Sequence, residues 1–287
     1  MQRGTRWMAG LAAGAMAASL LAPGLASGAS ERDGGRGRPA CEANHRGRSL
    51  RTVVLTADGK LACADTRRPS RVDRIGRITG LTTDTKLVGI DFRPATGALV
   101  GLGDQGGIYT IDPDTGAASN RVQLSAPLSG TSFGVDFNPT VDRLRVVSDT
   151  GQNLRVNVDT GAATVDLALS GPGVTGVGYT NNDADPDTAT TLYDIDTVND
   201  QVSIQAPPNN GTLNPVGLLG VDTSPAVGFD VYSDLDDGTT DDVVAFASLT
   251  VGGRAGLYEV DLFTGRADHR GNFGVGVVDI AIPLDRS

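Results

Sequence analysis

The sequence predicts an all-β fold: a β-propeller of about five four-stranded blades, its ring closed by the C-terminal strand pairing into the N-terminal blade. Three observations carry this. A short pattern returns five times, as Gly89-Ile90-Asp91-Phe92, Gly134-Val135-Asp136-Phe137, Gly176-Val177-Gly178-Tyr179, Gly228-Phe229-Asp230-Val231 and Val277-Val278-Asp279-Ile280. Its starts lie 45, 42, 52 and 49 residues apart, a spacing typical of propeller blades, and apolar residues alternate with polar ones as a strand requires. Between returns, Pro and Gly turns cut the chain into four strands. Finally, the two ends of the chain supply complementary parts of one blade.

Residues 1–29 read as a signal peptide. Arg3 and Arg6 precede an apolar run of small residues, and Ser27-Gly28-Ala29 offers a cleavage site. The run is short and Gly/Ala-rich, a poor membrane span. Trp7, Met1, Met8 and Met16 all fall within residues 1–29, so the mature chain is expected to lack both residue types. Residues 30–49 form a Gly/Arg-rich arm, expected to be flexible. Cys41 and Cys63 are the only cysteines, and in an exported chain an isolated even pair reads as a disulfide. The expected location is secreted, extracellular or periplasmic.

Residues 50–287 form the single propeller domain. Residues 53–61 align with the second and third strands of a blade. The clearest blade follows: 87–92 is a strand, Pro94 and Gly97 sit in the next turn, and 98–103 is a second strand. Asp104-Gln105-Gly106-Gly107 turns into 108–111, and Asp112-Pro113-Asp114-Thr115-Gly116 turns into 117–124. Pro presets φ in such turns and Gly accepts positive φ. The next blade repeats this through 143–147, 154–158 and Asp159-Thr160-Gly161. The last two are looser and carry Asp-rich insertions at 181–187 and 233–242. Residues 277–283 look like a lone first strand, which the incomplete N-terminal blade needs.

Charge is uneven. Residues 30–77 carry 12 basic and 6 acidic side chains, and those from 78 onward carry 10 and 28. The chain beyond the signal segment therefore has a net charge of −12, which opposes nucleic acid and anionic membrane as partners. An extracellular protein or small ligand is the expected partner.

Phe133-Gly134-Val135-Asp136-Phe137-Asn138-Pro139, with Asp142-Arg143-Leu144-Arg145-Val146-Val147-Ser148, resembles the secreted bacterial proteins grouped as Domain of Unknown Function 4394. Thr191-Leu192-Tyr193-Asp194-Ile195-Asp196 and Asn209-Asn210-Gly211-Thr212-Leu213 belong to the same likeness, which spans about residues 81–284. The resemblance implies a secreted, propeller-like domain and supplies no reaction, ligand or catalytic residue.

Two catalytic patterns match by letter and fail by context. Gly101-Leu102-Gly103-Asp104-Gln105-Gly106 fits GxGxxG but leads into a strand, whereas a dinucleotide site needs a helix N-terminus. Gly130-Thr131-Ser132-Phe133-Gly134 fits GxSxG, yet Ser132 also enters a strand. Only His45 and His269 are present, too few for most relays or His-rich zinc sites.

Aspartates remain. Asp91, Asp136, Asp230 and Asp279 fall at the same place in four inner strands, so they could converge on a Ca²⁺ ion in the channel. Alternatively, each binds backbone or an arginine between blades, with Arg143, Arg145 and Arg155 as candidates. Asp183, Asp185, Asp187 and Asp194 copy the 1-3-5-12 spacing of a calcium loop, with Thr188 where that loop wants Gly; solvated acidic turns are the plainer reading. Blade order puts Asp104, Gln105, Asp149, Gln152, Asn153 and Arg254 in loops on one face, a candidate ligand surface. The leading expectation is a non-enzymatic binding or scaffold propeller without a cofactor. The alternative is a Ca²⁺-dependent hydrolase or lyase using the channel carboxylates.

Overall fold

The computed structural model describes Cys41, residues 49–183, Asp185 and residues 187–285. The expected signal peptide, residues 1–29, and nearly all of the expected arm, including His45, lie outside the described residues. Twenty strands form five four-stranded antiparallel sheets. Blade 2 consists of β4 (Leu87–Phe92), β5 (Leu99–Gly103), β6 (Gly107–Ile111) and β7 (Ala118–Gln123). Blade 3 has β8 (Phe133–Asn138), β9 (Arg143–Ser148), β10 (Asn153–Val156) and β11 (Ala163–Val165). Blade 4 has β12 (Val174–Tyr179), β13 (Leu192–Asp196), β14 (Gln201–Gln205) and β15 (Leu213–Leu218). Blade 5 has β16 (Val227–Asp236), β17 (Thr239–Val251), β18 (Arg254–Val260) and β19 (Ala267–Asn272).

Blade 1 is composite. Its outer strands β1 (Arg51–Thr56), β2 (Lys60–Asp65) and β3 (Arg68–Arg77) come from the N-terminal side, and its inner strand is β20 (Val277–Ala281), paired with β1. The five inner strands then touch in cyclic order, β20–β4–β8–β12–β16–β20. Closure leaves β1 without an open inner edge, as the split blade in the sequence requires.

Each pair of neighbouring blades shares a core. Val100 and Leu102 meet Val135 and Phe137 between blades 2 and 3, and Ile195 and Val202 meet Phe229 and Val231 between blades 4 and 5. The cores between blades 1 and 2 and between blades 5 and 1 are built in the same way. The core between blades 3 and 4 is the smallest, around Val147, Val174, Val177, Tyr179 and Leu192. Polar side chains fill the remainder of that interface. Arg145, almost wholly buried, donates to Asn153, Asp166, Tyr179 and Asn209.

The repeated Thr-Gly turns work as their sequence suggests. Gly116, Gly161 and Gly265 each return an N–H to the carbonyl four residues back, at Asp112, Asn157 and Asp261. The side chains of those three residues accept an N–H two residues on. The insertion at 233–242 differs from a solvated turn. It lengthens β16 and β17 into one hairpin, with Asp234 opposite Asp242 and the turn between Asp236 and Thr239.

Candidate functional site: the carboxylates of the channel

An inner strand turns its free backbone edge to the channel, where its N–H groups need acceptors. The recurring aspartates provide them. Asp91 takes Phe92 N–H on Oδ1 at 2.6 Å and, across the blade boundary, Phe137 N–H on Oδ2 at 2.8 Å. Asp136 accepts from Tyr179 N–H of blade 4 at 3.2 Å. Asp230 reaches Ile282 N–H, just past β20. Asp279 accepts from Ile280 N–H at 2.9 Å and from Ile90 N–H of blade 2 at 2.9 Å. Each inner strand carrying an Asp is therefore tied to the next blade's inner strand.

The ring departs from symmetry twice. Asp279, aligned by sequence with Asp91, stands one step higher. Leu55, its partner in β1, pairs across the following turn with Leu61; Leu102, partner of Gly89, pairs across its turn with Ile108. Asp279 thus matches Gly89, and Ala281 matches Asp91. The glycines of that level make room for the close approach. A Cβ on Gly228 would lie 2.5 Å from Ile280 N and 2.6 Å from Asp279 Cα, and one on Gly134 would lie 2.9 Å from Gly176 Cα. In blade 4 the Asp is replaced by Gly178, where Val231 and the Phe229 ring stand 3.0 and 3.1 Å from a Cβ position.

Asp91, Asp136 and Asp230 remain on one level, with a carboxylate oxygen from each within 4.8 Å of the others. All four channel aspartates are buried. Burial, and then the neighbouring carboxylates, push Asp91 and Asp136 well above the ordinary carboxylate range. Burial does the same to Asp279 and raises Asp230 to about 6. No cationic side chain figures among the causes for these four. The triad is thus a set of buried acid groups able to hold protons or to meet a hard cation.

Of the residues expected in loops on one face, Asp104, Gln105, Asp149 and Gln152 lie in loops, whereas Asn153 and Arg254 are the first residues of β10 and β18. Asp104 accepts from Thr85 through N–H and Oγ1, and Asp149 does the same with Thr131. Gln152 bridges Ser129 N–H and Pro127 O. Asn153 is buried against blade 4, where it takes an Arg145 N–H at 2.8 Å. Gln105 and Arg254 are exposed.

Asp183 and Asp185 form consecutive turns onto Asp185 and Asp187 N–H, and Asp183 also clamps Thr240 of β17. Asp194 is not in that loop. It lies fully buried on β13, paired with Val177 and Ser203, and neither oxygen has a hydrogen-bond partner among the described residues. Burial holds its carboxyl well above the ordinary range, opposed by Arg145 and aided by Asp196. Cys41 and Cys63 form the disulfide, with Cα atoms 5.5 Å apart. Sequence reasoning did not place a cleft of about 480 Å³ on blade 1, lined by Ser49, Arg51, Asp65, Arg67, Arg68, Arg71 and Asp73. The basic surplus of residues 30–77 was its only signal.

No curated protein matches the sequence. Solved structures that resemble the chain include hydrazine synthase of Kuenenia stuttgartiensis (15% identity, TM-score 0.38, covering 68% of this chain and 53% of that one). An auxiliary nutrient binding protein of Bacteroides ovatus (12%, TM-score 0.41, 69% and 56%) and glutaminyl cyclase of Myxococcus xanthus (14%, TM-score 0.39, 69% and 70%) are others. The chain spans just over half the length of the first two. The model of the family described as Domain of unknown function (DUF4394) matches residues 60–281, most of the chain, and the protein belongs to that family.

Proposed function

We propose that this protein is a secreted, non-enzymatic propeller that works by binding. The observation that carries the reading is the engagement of the channel carboxylates. Asp91 and Asp279 each have both oxygens on backbone N–H groups, and all four aspartates tie one blade to the next. Groups of the type that could act as acid or base are thereby committed to holding the ring. A disulfide suits an oxidising compartment, and among the described residues no helix is long and apolar enough to cross a membrane.

One observation favours a second reading, cation-dependent hydrolysis or elimination: the 4.8 Å convergence of Asp91, Asp136 and Asp230. Ca²⁺ takes six to eight oxygen ligands, of which this triad would supply three. Thermal melts of metal-stripped protein with and without Ca²⁺, together with metal analysis of the protein as isolated, separate the two. On the binding reading the melting temperature is unchanged by Ca²⁺, and each Asp→Ala change costs about 1–3 kcal/mol by leaving N–H groups unpaired. A stoichiometric ion lost on Asp91→Asn would place the cation reading first.

A further inference from the structure

We propose that the arginine cleft of blade 1 binds a segment of acidic polysaccharide. The proposal rests on the binding reading above and names a site and a ligand class for it. The cleft lies where the start of β1 meets the β2–β3 turn. Arg51 is fixed in it, with Nε on Cys63 Sγ at 3.1 Å and Nη2 on Asp73 at 2.7 Å. Asp65 is fixed too, accepting Arg67 N–H at 2.8 Å. Arg67, Arg68 and Arg71 are exposed, and no carboxylate among the described residues pairs with their guanidinium groups. Elsewhere in the propeller most arginines are neutralised. Arg93 holds Asp142 and Asp159, Arg121 faces Asp84, Arg145 and Arg155 share Asp166, and Arg266 and Arg270 pair within their own blade. In a chain this acidic, unpaired arginines gathered around one cleft are the exception.

The lining selects the ligand. Guanidinium forks recognise carboxylate and sulfate oxygens through paired hydrogen bonds. No aromatic or apolar residue lines the cleft, so nucleic-acid bases find no aromatic side chain to stack on and an acyl chain no apolar side chain to bury against. Asp65 and Asp73 stand among the arginines and can accept hydrogen bonds from hydroxyls, which a bare phosphate chain does not offer. An anionic sugar offers both groups, an oxyanion for the arginines and hydroxyls for the carboxylates. Charged side chains on β3 also discourage edge-to-edge strand pairing. That accounts for Arg74 and Arg77 and applies equally to Arg68 and Arg71, which also lie on β3, but not to Arg51 or to the turn residue Arg67, which face the cleft with them.

The test is titration of the full secreted protein, at low salt, with polygalacturonate and dextran sulfate. Neutral dextran, single-stranded DNA and inorganic polyphosphate are the comparison probes. The expected result is binding to one or both acidic glycans, which weakens with added salt, and no binding to neutral dextran. Stronger binding of polygalacturonate than of dextran sulfate would identify a uronate as the anion, and the reverse a sulfate ester. The triple change Arg67→Ala, Arg68→Ala and Arg71→Ala should lower affinity at least about tenfold with the melting temperature unchanged, because all three side chains are exposed. Arg266→Ala with Arg270→Ala should leave affinity intact. Failure of the wild-type protein to bind either acidic glycan would overturn the proposal, as would equal binding by the triple variant. Tighter binding of DNA or polyphosphate would replace the sugar with a phosphate polymer and overturn it as well.

Discussion

The buried carboxylates make stability depend on pH in an unusual direction. A carboxyl raised in the folded state keeps a proton that the unfolded chain has released. Stability therefore falls as pH rises from the unfolded value towards the folded one, and recovers as pH is lowered through the same window. For Asp230 the rise from 3.8 to about 6 corresponds to about 3 kcal/mol, lost between about pH 4 and pH 6 and absent at neutral pH. Burial likewise raises Asp91, Asp136, Asp194 and Asp279 well above the ordinary carboxylate range, so each adds to the same trend. Each proton retained adds about 1.4 kcal/mol per pH unit to the slope. The opposite trend sets in below about pH 4. There, against the pull of burial, hydrogen bonds from Thr85 hold Asp104 low, those from Thr131 hold Asp149 low, and Arg155 and Arg145 hold Asp166 low. Protonating those three removes stability. Urea unfolding followed by circular dichroism at about pH 5, 6, 7 and 8 should thus show unfolding free energy increasing as pH falls, with a maximum near pH 4–5. Asp230→Asn should flatten the profile by about one proton. Stability that is level or declines from pH 8 to pH 5 would mean that the channel carboxylates are ionised in the folded ring, and would refute the reasoning.

Gly228→Ala should destabilise by about 1–3 kcal/mol through overpacking, because its Cβ meets β20 backbone at 2.5 and 2.6 Å; Gly171→Ala, with only a Leu213 methyl at 3.8 Å, should melt like the parent. Deleting residues 277–287 removes the strand paired with Val53, Val54 and Leu55, and with it both Asp279 and the Ile282 N–H that Asp230 needs; the product should be insoluble or lack a cooperative transition, and a soluble product melting like the full chain would contradict ring closure. Alkylation without reductant should find no free thiol, and reduction should cost roughly 3 kcal/mol for a closed loop of this size; quantitative labelling of Cys63 in native protein would count against it.

The propeller was legible because its causes are local and repeated. Pro and Gly turns, alternating strands and a split blade each survive in a single sequence, and β4 to β7 fall within a residue or two of the expected bounds. Asp279 shows where this fails. Its letters align with Asp91, but its height in the ring is fixed by pairing with Leu55, a contact more than 200 positions away. The hairpin of β16 and β17 is hidden in the Asp-rich insertion at 233–242, because its charges mask the pairing that carries both strands beyond the core. Asp194 matched a calcium spacing, yet alternation along β13 turns it inward with Val177. The arginine cleft depends on a turn, a strand start and a disulfide meeting in space, and only its charge was visible in the sequence.

A closed ring of repeats brings any recurring residue to the axis, so proximity alone is weak evidence of chemistry. Asp91, Asp136 and Asp230 converge because inner strands converge, and their bonds to the next blade give that convergence a structural purpose. Departures from the repeat are more informative. Gly178 shows that one boundary of the ring holds without a carboxylate, since Phe229 and Val231 fill its place. At the boundary between blades 3 and 4, polar side chains around Arg145 replace apolar core, and Asp194 lies buried there without a hydrogen-bond partner among the described residues. On blade 1 the guanidinium groups of Arg67, Arg68 and Arg71 have no carboxylate partner among the described residues, whereas most arginines of the other blades do. Selection on a repeat fold acts most visibly where it breaks the repeat, and for this chain that reasoning directs the search for a ligand from the channel to the cleft.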